Sequence, residues 1–368
     1  MSGPVVIAAG GTGGHFFPAE ALAGELRSRG RTVALMTDIR SGADASVVFA
    51  DCERFVLRGG GIAGHGPLKA GRAAASLAAG TLQARGHLRR LRPVAVVGFG
   101  GYPSVAPVLA ARAMRNRPRI VLHEQNAVLG RANRALAGMA DALALSFAET
   151  AKLPKGAHRF TTGNPVRPAI ARLADQAYIP ATDTFRLLVL GGSQGARVFA
   201  TVIPDAIARL PRPLLARLRL TQQCRAEDLD GTRAAYVELG IDAELATFFP
   251  DVAHRLQAAH LVIARAGAST IAELAAIGRP SILVPLPAAI DDHQRANALA
   301  LAHAGGAWMM HQSILTGADL AEFLAPLMDH PDRLIASAQA AARFGCLDAA
   351  HRLADLVDEI IIERKPAV

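Results

Sequence analysis

Twice in this chain a short apolar run breaks into a cluster of glycines and continues at once as a helix-like stretch, and this repeated junction restricts the fold more than any other feature. The first is Val5-Val6-Ile7-Ala8-Ala9 entering Gly10-Gly11-Thr12-Gly13-Gly14-His15, with Pro18-Ala19-Glu20-Ala21-Leu22-Ala23 expected to open the helix. The second is Phe185 to Val189 entering Leu190-Gly191-Gly192-Ser193-Gln194-Gly195-Ala196-Arg197, then a helix-like run from Val198 to Leu210. An unbroken apolar and β-branched run suits a buried strand, glycines let the backbone turn tightly with its N–H groups uncovered, and the following helix aims its positive end at the turn. Each junction therefore suits an anion or a sugar phosphate. Two of them half a chain apart predict an α/β protein of two Rossmann-like halves with a shared cleft between them.

The remaining pattern fits that plan. Strands are expected at Arg31 to Thr37, Phe55 to Leu57, Val94 to Val97, Ile120 to Leu122 and Ala140 to Ser146, with a Gly-rich loop from Gly59 to Pro67 and a helix from Leu68 to Arg90. Thr161-Thr162-Gly163-Asn164-Pro165-Val166-Arg167-Pro168 reads as the crossing, which divides the chain into 1–163 and 164–368, the last helix being able to pack back on the first domain. In the second half strands are expected near Leu214 to Thr221, Ala246 to Phe249, Leu261 to Ala264 and Ser281 to Pro285. Helices are expected at Thr232 to Leu239, at Ile271 to Ala276 and around Asn297, and the rest is helical to Glu363. A length of 368 residues is comfortable for two such domains, and an aromatic content of 5% suits alternating strands and helices better than a sandwich.

Cys52, Cys224 and Cys346 stand far apart without metal or redox spacing, as free thiols of a reducing compartment do. No apolar run is long enough to span a bilayer, and Met1-Ser2-Gly3-Pro4 leads into a strand without a basic leader, so the protein is expected to be neither secreted nor membrane-spanning. A net charge of +9 calls for an anionic partner: nucleotide, nucleic acid or lipid surface. Its distribution says more. Between Glu53 and Glu124 there is no acid, while Arg54, Arg58, Lys69, Arg72, Arg85, Arg89, Arg90, Arg92, Arg112, Arg115, Arg117 and Arg119 accumulate. The helix Leu68 to Arg90 is either an ordinary crossover helix with solvated arginines or a segment that lies in an anionic membrane interface.

Neither glycine loop has dinucleotide spacing, although Asp38 stands where a ribose-binding carboxylate of a dehydrogenase would. His15 closes the first loop at a helix start, where the dipole favours a neutral ring. It reads as a general base or as a capping or packing histidine. Arg265-Ala266-Gly267-Ala268-Ser269-Thr270-Ile271-Ala272-Glu273 has small side chains that let a diphosphate reach backbone N–H groups, and a carboxylate that can accept from ribose hydroxyls. The competing reading of Glu273 is compensation of the helix dipole. Asp291-Asp292-His293 do not converge easily from one loop, so no metal site is expected there. Gln294 and Asn297 share a helix face and could bond sugar hydroxyls.

Taken in order, Gly10 to His15, Gly98-Phe99-Gly100-Gly101-Tyr102, His123-Glu124-Gln125-Asn126, Gly163-Asn164-Pro165-Val166-Arg167, Gly191 to Arg197, Arg265-Ala266-Gly267-Ala268 and His293-Gln294-Arg295-Ala296-Asn297-Ala298 resemble the MurG family. These are the UDP-N-acetylglucosamine:undecaprenyl-diphosphoryl-muramoyl-pentapeptide N-acetylglucosaminyltransferases of peptidoglycan synthesis, and the likeness covers essentially the whole chain. It implies a GT-B fold, an N-terminal domain that meets the lipid-linked acceptor and the membrane, and a C-terminal domain that holds UDP-GlcNAc. Thr12, Gly13, Gly14, Asn126, Arg167, Ser193, Phe249, Ala268, Ser269, Thr270, Ile271, Ala272, Glu273, Gln294 and Asn297 then fall at donor-site positions, Phe249 through its backbone. His15, or a water or carboxylate near it, takes the proton of the muramoyl 4-hydroxyl. Within Ala266-Gly267-Ala268-Ser269-Thr270 the chain carries Ala and Ser at places where the family commonly has Ser and Leu, and family members often differ at His293.

The resemblance further implies inversion to a β-1,4 link, no cofactor, no required metal, cell-wall synthesis proteins as partners, and a peripheral place on the cytoplasmic face of the inner membrane. Another GT-B UDP-sugar transferase with a different lipid or small-molecule acceptor is the alternative enzyme. A nucleic-acid-binding protein would explain the charge, but no nucleic-acid module is present and Tyr 3 and Trp 1 supply no stacking platform.

Overall fold

The computed structural model describes residues 3–11, 13–38, 46–58, 67–192 and 195–363, with 67–70 as backbone only. Thr12, Ser193 and the expected loop over 59–66 lie outside the described residues. Two compact units emerge, Met1–Arg167 with Cys346–Val368, and Pro168–Gly345.

In the first unit strands β1 (Val5–Ala8), β2 (Val33–Thr37), β3 (Glu53–Val56), β4 (Ala95–Gly98), β5 (Arg119–Glu124), β6 (Ala142–Leu145) and β7 (Arg159–Thr161) form one parallel sheet in the order β3-β2-β1-β4-β5-β6-β7. Its helices include α1 (Gly13–Ser28), α2 (Pro67–Leu91), α3 (Gly101–Arg112) and α4 (Arg131–Leu136). Alternate residues of β1 serve opposite faces: Val5 and Ile7 join Phe16, Leu22 and Leu26 of α1, whereas Val6 and Ala8 join Ala84 and Leu88 of α2 and Val108 of α3. Covering both faces explains why the central strands are continuous apolar runs rather than alternating ones. Because α1 and α3 leave the neighbouring strands β1 and β4 for opposite faces, the chain ends of those strands open a crevice between them.

The second unit repeats the plan. Strands β8 (Phe185–Leu190), β9 (Leu218–Gln223), β10 (Ala243–Ala246), β11 (Leu261–Ala264), β12 (Ser281–Leu283) and β13 (Ala307–Met309) are parallel in the order β10-β9-β8-β11-β12-β13. They alternate with α5 (Pro168–Ala171), α6 (Arg197–Ala208), α7 (Arg212–Arg217), α8 (Leu229–Glu238), α9 (Val252–Ala258), α10 (Ala268–Ala276), α11 (His293–His303), α12 (Gly317–Asp329) and α13 (Pro331–Phe344). Here β8 and β11 flank the point where the order reverses.

The last helix, α14 (Ala349–Ile362), belongs to the first unit. Its buried Leu353, Leu356, Val357, Ile360 and Ile361 recur at helical spacing and enter the same cluster as α1. Arg29 of α1 reaches Asp355 at 2.7 Å and Asp358 at 3.3 Å, and Arg31 reaches Asp358 at 2.7 Å.

Several elements differ from the sequence expectations. The helix α1 begins at Gly13, not at Pro18, so the glycine turn is itself the first helical turn and Pro18, which has no N–H, cannot bond the Gly14 carbonyl. Leu214 to Arg217 are helical because α7 opens at Arg212 with Pro213 in its first turn, and the strand follows at Leu218. The strand expected at Ala246 to Phe249 ends at Ala246. Two three-residue edge strands, β7 and β13, are too short to carry a periodic signal.

Candidate active site

In the first unit the crevice is built from the ends of β1, β4 and β5. Gly10 lies so close to β2 that a Cβ there would stand 2.7 Å from Asp38 Oδ1 and 2.9 Å from Thr37 Oγ1. Asp38 accepts the Gly11 N–H at 3.1 Å. Sequence reasoning offered Asp38 as a ribose carboxylate; here it braces the glycine turn. Gly13, Gly14 and His15 are the first three residues of α1, so their N–H groups have no acceptor within the helix. His15 is half-buried, and its Nδ1 faces Gln125 Oε1 at 2.9 Å. On its other side is Gly101, with φ +65°: a Cβ there would press within 3.4 Å of His15 Nε2. The positive φ favours glycine here, and with no Cβ at position 101 no side chain of that residue covers the Nε2 edge.

Behind His15 lies a fully buried polar shelf. His123 is enclosed, its Nε2 3.1 Å from the Gly163 carbonyl, and burial pushes its ionisation down to about 4. Glu124, 2% exposed, accepts from Asn126 N–H at 3.0 Å, Asn126 Nδ2 at 3.1 Å, Gly130 N–H at 2.8 Å and Asn133 Nδ2 at 2.9 Å. Those four donors compensate the buried carboxylate and fix Asn126 at the crevice edge. Arg167 is brought to the same end of the sheet, its guanidinium 4.8 Å from the Phe17 ring centroid. Gln125 and His123 are the residues that sequence reasoning passed over; the polar run at a strand end was its only signal.

In the second unit the ends of β8, β10, β11 and β12 carry the remaining candidates. Gly267 is the N-cap of α10 and no side chain caps the helix, which leaves the N–H groups of Ala268, Ser269 and Thr270 as donors at its mouth. Ser269 Oγ is enclosed there without a hydrogen-bond partner among the described residues. Arg265 lies beneath the same turn, 8% exposed, donating to the Val284 carbonyl at 3.0 Å, the Pro285 carbonyl at 3.2 Å and Gln312 Oε1 at 2.6 Å. All three acceptors are neutral. Burial lowers the Arg265 pKa, yet a guanidinium keeps its proton, so the turn carries positive charge as well as helix-end N–H groups.

Ile271 and Ala272 continue α10 to Glu273, which is 7% exposed. Gln294 Oε1 accepts from Leu286 N–H at 3.0 Å at the end of β12. Asn297 is fully buried and donates to the Ala266 carbonyl at 3.1 Å, tying α11 to the loop beneath α10. Phe249 turns its ring inward under Arg255, whose guanidinium lies 4.3 Å from the centroid. His293 Nδ1 faces the Ile290 carbonyl at 2.7 Å and Asp292 pairs with Arg295. Among the described residues no group of three His, Cys, Asp or Glu side chains is placed to hold a metal ion.

Comparison with known proteins identifies the arrangement. The profile of the glycosyltransferase family 28 N-terminal domain matches residues 5–145 and that of the family 28 C-terminal domain matches residues 186–353. A protein of Granulibacter bethesdensis named UDP-N-acetylglucosamine--N-acetylmuramyl-(pentapeptide) pyrophosphoryl-undecaprenol N-acetylglucosamine transferase is 57% identical over 97% of this chain and 93% of its own length. Its namesake from Acidiphilium cryptum is 56% identical over 99% of this chain and 98% of its own. The crystal structure of Acinetobacter baumannii MurG superposes with a TM-score of 0.78 at 29% identity, covering 97% of this chain and 99% of that one. The expected α/β class of GT-B type is borne out by that match and by the two parallel sheets. With both domain signatures in order and more than half of its residues shared with these relatives over nearly its full length, the chain belongs to the MurG family of glycosyltransferases.

Proposed function

We propose that the chain moves GlcNAc from UDP-GlcNAc to the 4-hydroxyl of undecaprenyl-diphosphoryl-MurNAc-pentapeptide, with inversion to a β-1,4 link. The observation that carries this reading is the 57% identity, over 97% of the chain, to a relative named for that transfer. In it, His15 Nε2 takes the proton of the acceptor hydroxyl as its oxygen bonds to the anomeric carbon, and the bond from that carbon to the diphosphate oxygen breaks with its electron pair leaving on UDP. The departing diphosphate is received by the N–H groups of Ala268, Ser269 and Thr270 and the charge of Arg265, and it supplies the partner that Ser269 Oγ lacks. Glu273 accepts from ribose hydroxyls, the Phe249 backbone meets the uracil, and Gln294 bonds the sugar. Gly13, Gly14, Asn126 and Arg167 are further donor-binding residues in this reading, and Asn297 supports the loop at Ala266. Thr12 and Ser193 complete the donor contacts.

The test is UDP release from UDP-GlcNAc with and without a short-chain lipid-linked muramoyl-pentapeptide, with UDP-GalNAc and UDP-glucose as comparison donors. Release that needs the acceptor and prefers UDP-GlcNAc is expected. UDP-GlcNAc binding with no acceptor-dependent release would transfer the assignment to a GT-B enzyme with another acceptor.

The same reading places the protein peripherally on the cytoplasmic face of the inner membrane. No helix among the described residues is long and apolar enough to cross a membrane. The C-terminal half of α2 packs on the sheet through Ala84 and Leu88, whereas Leu82 is 67% exposed and Arg72, Arg89, Arg92, Arg112 and Arg115 face solvent. Not all of the basic run is available: Arg117 and Arg119 pair with Asp141 at 2.8 and 3.0 Å, and Arg90 with Glu53. Each remaining cation near an anionic leaflet is worth about 1 kcal/mol. Co-sedimentation with phosphatidylglycerol vesicles is expected at low salt and should fall steeply as salt rises; binding that ignores salt, or retention on nucleic acid instead, would remove the proposal.

A further inference from the structure

The side chains behind His15 form one hydrogen-bonded line, and its fixed ends leave every member a single choice of proton. A carbonyl oxygen only accepts, so the His123 Nε2 that stands 3.1 Å from the Gly163 carbonyl carries the hydrogen. His123 is fully buried and neutral at pH 7, which makes its Nδ1 a bare acceptor. The Gln125 amide is oriented independently. Its nitrogen lies 2.9 Å from that Nδ1 and 3.1 Å from the His123 carbonyl, where an oxygen would face two acceptors. Both amide hydrogens are thereby used, and Oε1 is turned to His15 Nδ1 at 2.9 Å. Because an amide oxygen cannot donate, His15 donates from Nδ1.

We propose that Gln125 and His123 are positioning residues that hold His15 as its Nδ1–H tautomer, with the bare Nε2 lone pair turned to the acceptor hydroxyl. This rests on the reading of His15 as the base. An unrestrained histidine side chain prefers the opposite tautomer, in which Nε2 carries the hydrogen and cannot accept one. The ring edge left open at Gly101 is the one that the relay deprotonates. The hydrogen bonds that run back to the Gly163 carbonyl fix which nitrogen is bare, and the glycine corner at Gly101 is the side that this nitrogen faces. The relay is uncharged throughout. It sets the tautomer without the added attraction for an imidazolium that a carboxylate supplies.

Long-range 1H–15N spectra of the full-length protein with 15N-labelled histidine read the tautomers directly, His15 and His123 being assigned from His15→Gln and His123→Asn proteins. The parent should show His15 as Nδ1–H and His123 as Nε2–H. Gln125→Met, similar in length but without an acceptor, should move His15 toward Nε2–H and lower kcat about tenfold, a fraction of the 10²–10⁴ that a general base contributes, with KM for UDP-GlcNAc little changed. Gln125→Glu keeps an acceptor oxygen on Nδ1 and should keep the Nδ1–H tautomer, but its second oxygen faces the two His123 acceptors and its charge favours an imidazolium, so kcat should recover only in part. An Nε2–H signal for His15 in the parent overturns the proposal, as does a Gln125→Met protein with unchanged tautomer and turnover. The spectrum needs no turnover. If His15→Ala kept its activity, the base assignment would fall while the tautomer result stood.

Discussion

Replacing His15 with alanine is expected to lower kcat by about 10²–10⁴ while leaving the Kd for UDP-GlcNAc near that of the parent, the range for losing a positioned general base. The ring occupies the third position of α1, between the glycine corner at Gly101 and the Gln125 amide, so its placement depends on three separate strand ends. It is half-buried, and the partner that its Nδ1 meets is the neutral Gln125 amide, not a carboxylate. Steady-state kinetics with a short-chain acceptor, alongside calorimetric binding of UDP-GlcNAc, separates the two quantities. A packing histidine would show the reverse pattern, with turnover near normal per folded molecule and a lowered unfolding midpoint. Near-normal kcat in a folded His15→Ala protein would remove the ring from the mechanism.

How much of this was legible beforehand depended on where each partner sits in the chain. Both glycine junctions could be read because strand, turn and helix start are contiguous, and because strands buried on both faces, such as Val5–Ala8 and Leu261–Ala264, are unbroken apolar runs. The start of α1 was misplaced because Gly13 and Gly14 are poor helix formers and Pro18 imitates a first-turn proline; tertiary packing of Phe16 and the site itself override both signals. Asp38 carried a plausible ribose role by position, yet the Gly11 N–H that occupies it lies 27 residues away. The relay was out of reach for the same reason: His15 and Gln125 are 110 residues apart and only the parallel order of β1, β4 and β5 brings them together. Charge was overcounted for a simpler cause. The acid that neutralises Arg117 and Arg119 is Asp141, beyond the end of the acid-free run.

Glu273 is the candidate whose competing explanation the structure weakens most, and it carries the second large effect. Dipole compensation requires a carboxylate within the first helical turn, since the field falls off beyond it. With α10 starting at Ala268, Glu273 lies past that turn, and at 7% exposure it is too enclosed for a solvent-side compensating charge. Side chains on a helix lean toward its N-terminus, so this carboxylate is carried back over the turn that presents the N–H groups of Ala268, Ser269 and Thr270. That geometry suits one nucleotide, its diphosphate on the helix mouth and its ribose on the carboxylate. Glu273→Ala is therefore expected to weaken UDP-GlcNAc by about 1.5–3 kcal/mol, ten- to over a hundredfold in Kd, as for hydrogen bonds to a charged group. Deoxyribose analogues of UDP separate this from a general loosening of α10. The parent should lose affinity when the ribose hydroxyl is removed, whereas the Glu273→Ala protein should bind both forms alike, the coupling that a shared contact requires. Glu273→Gln, which keeps an acceptor but no charge, should fall between them. Equal discrimination by all three proteins would place the ribose elsewhere and leave Glu273 as a buried support of α10.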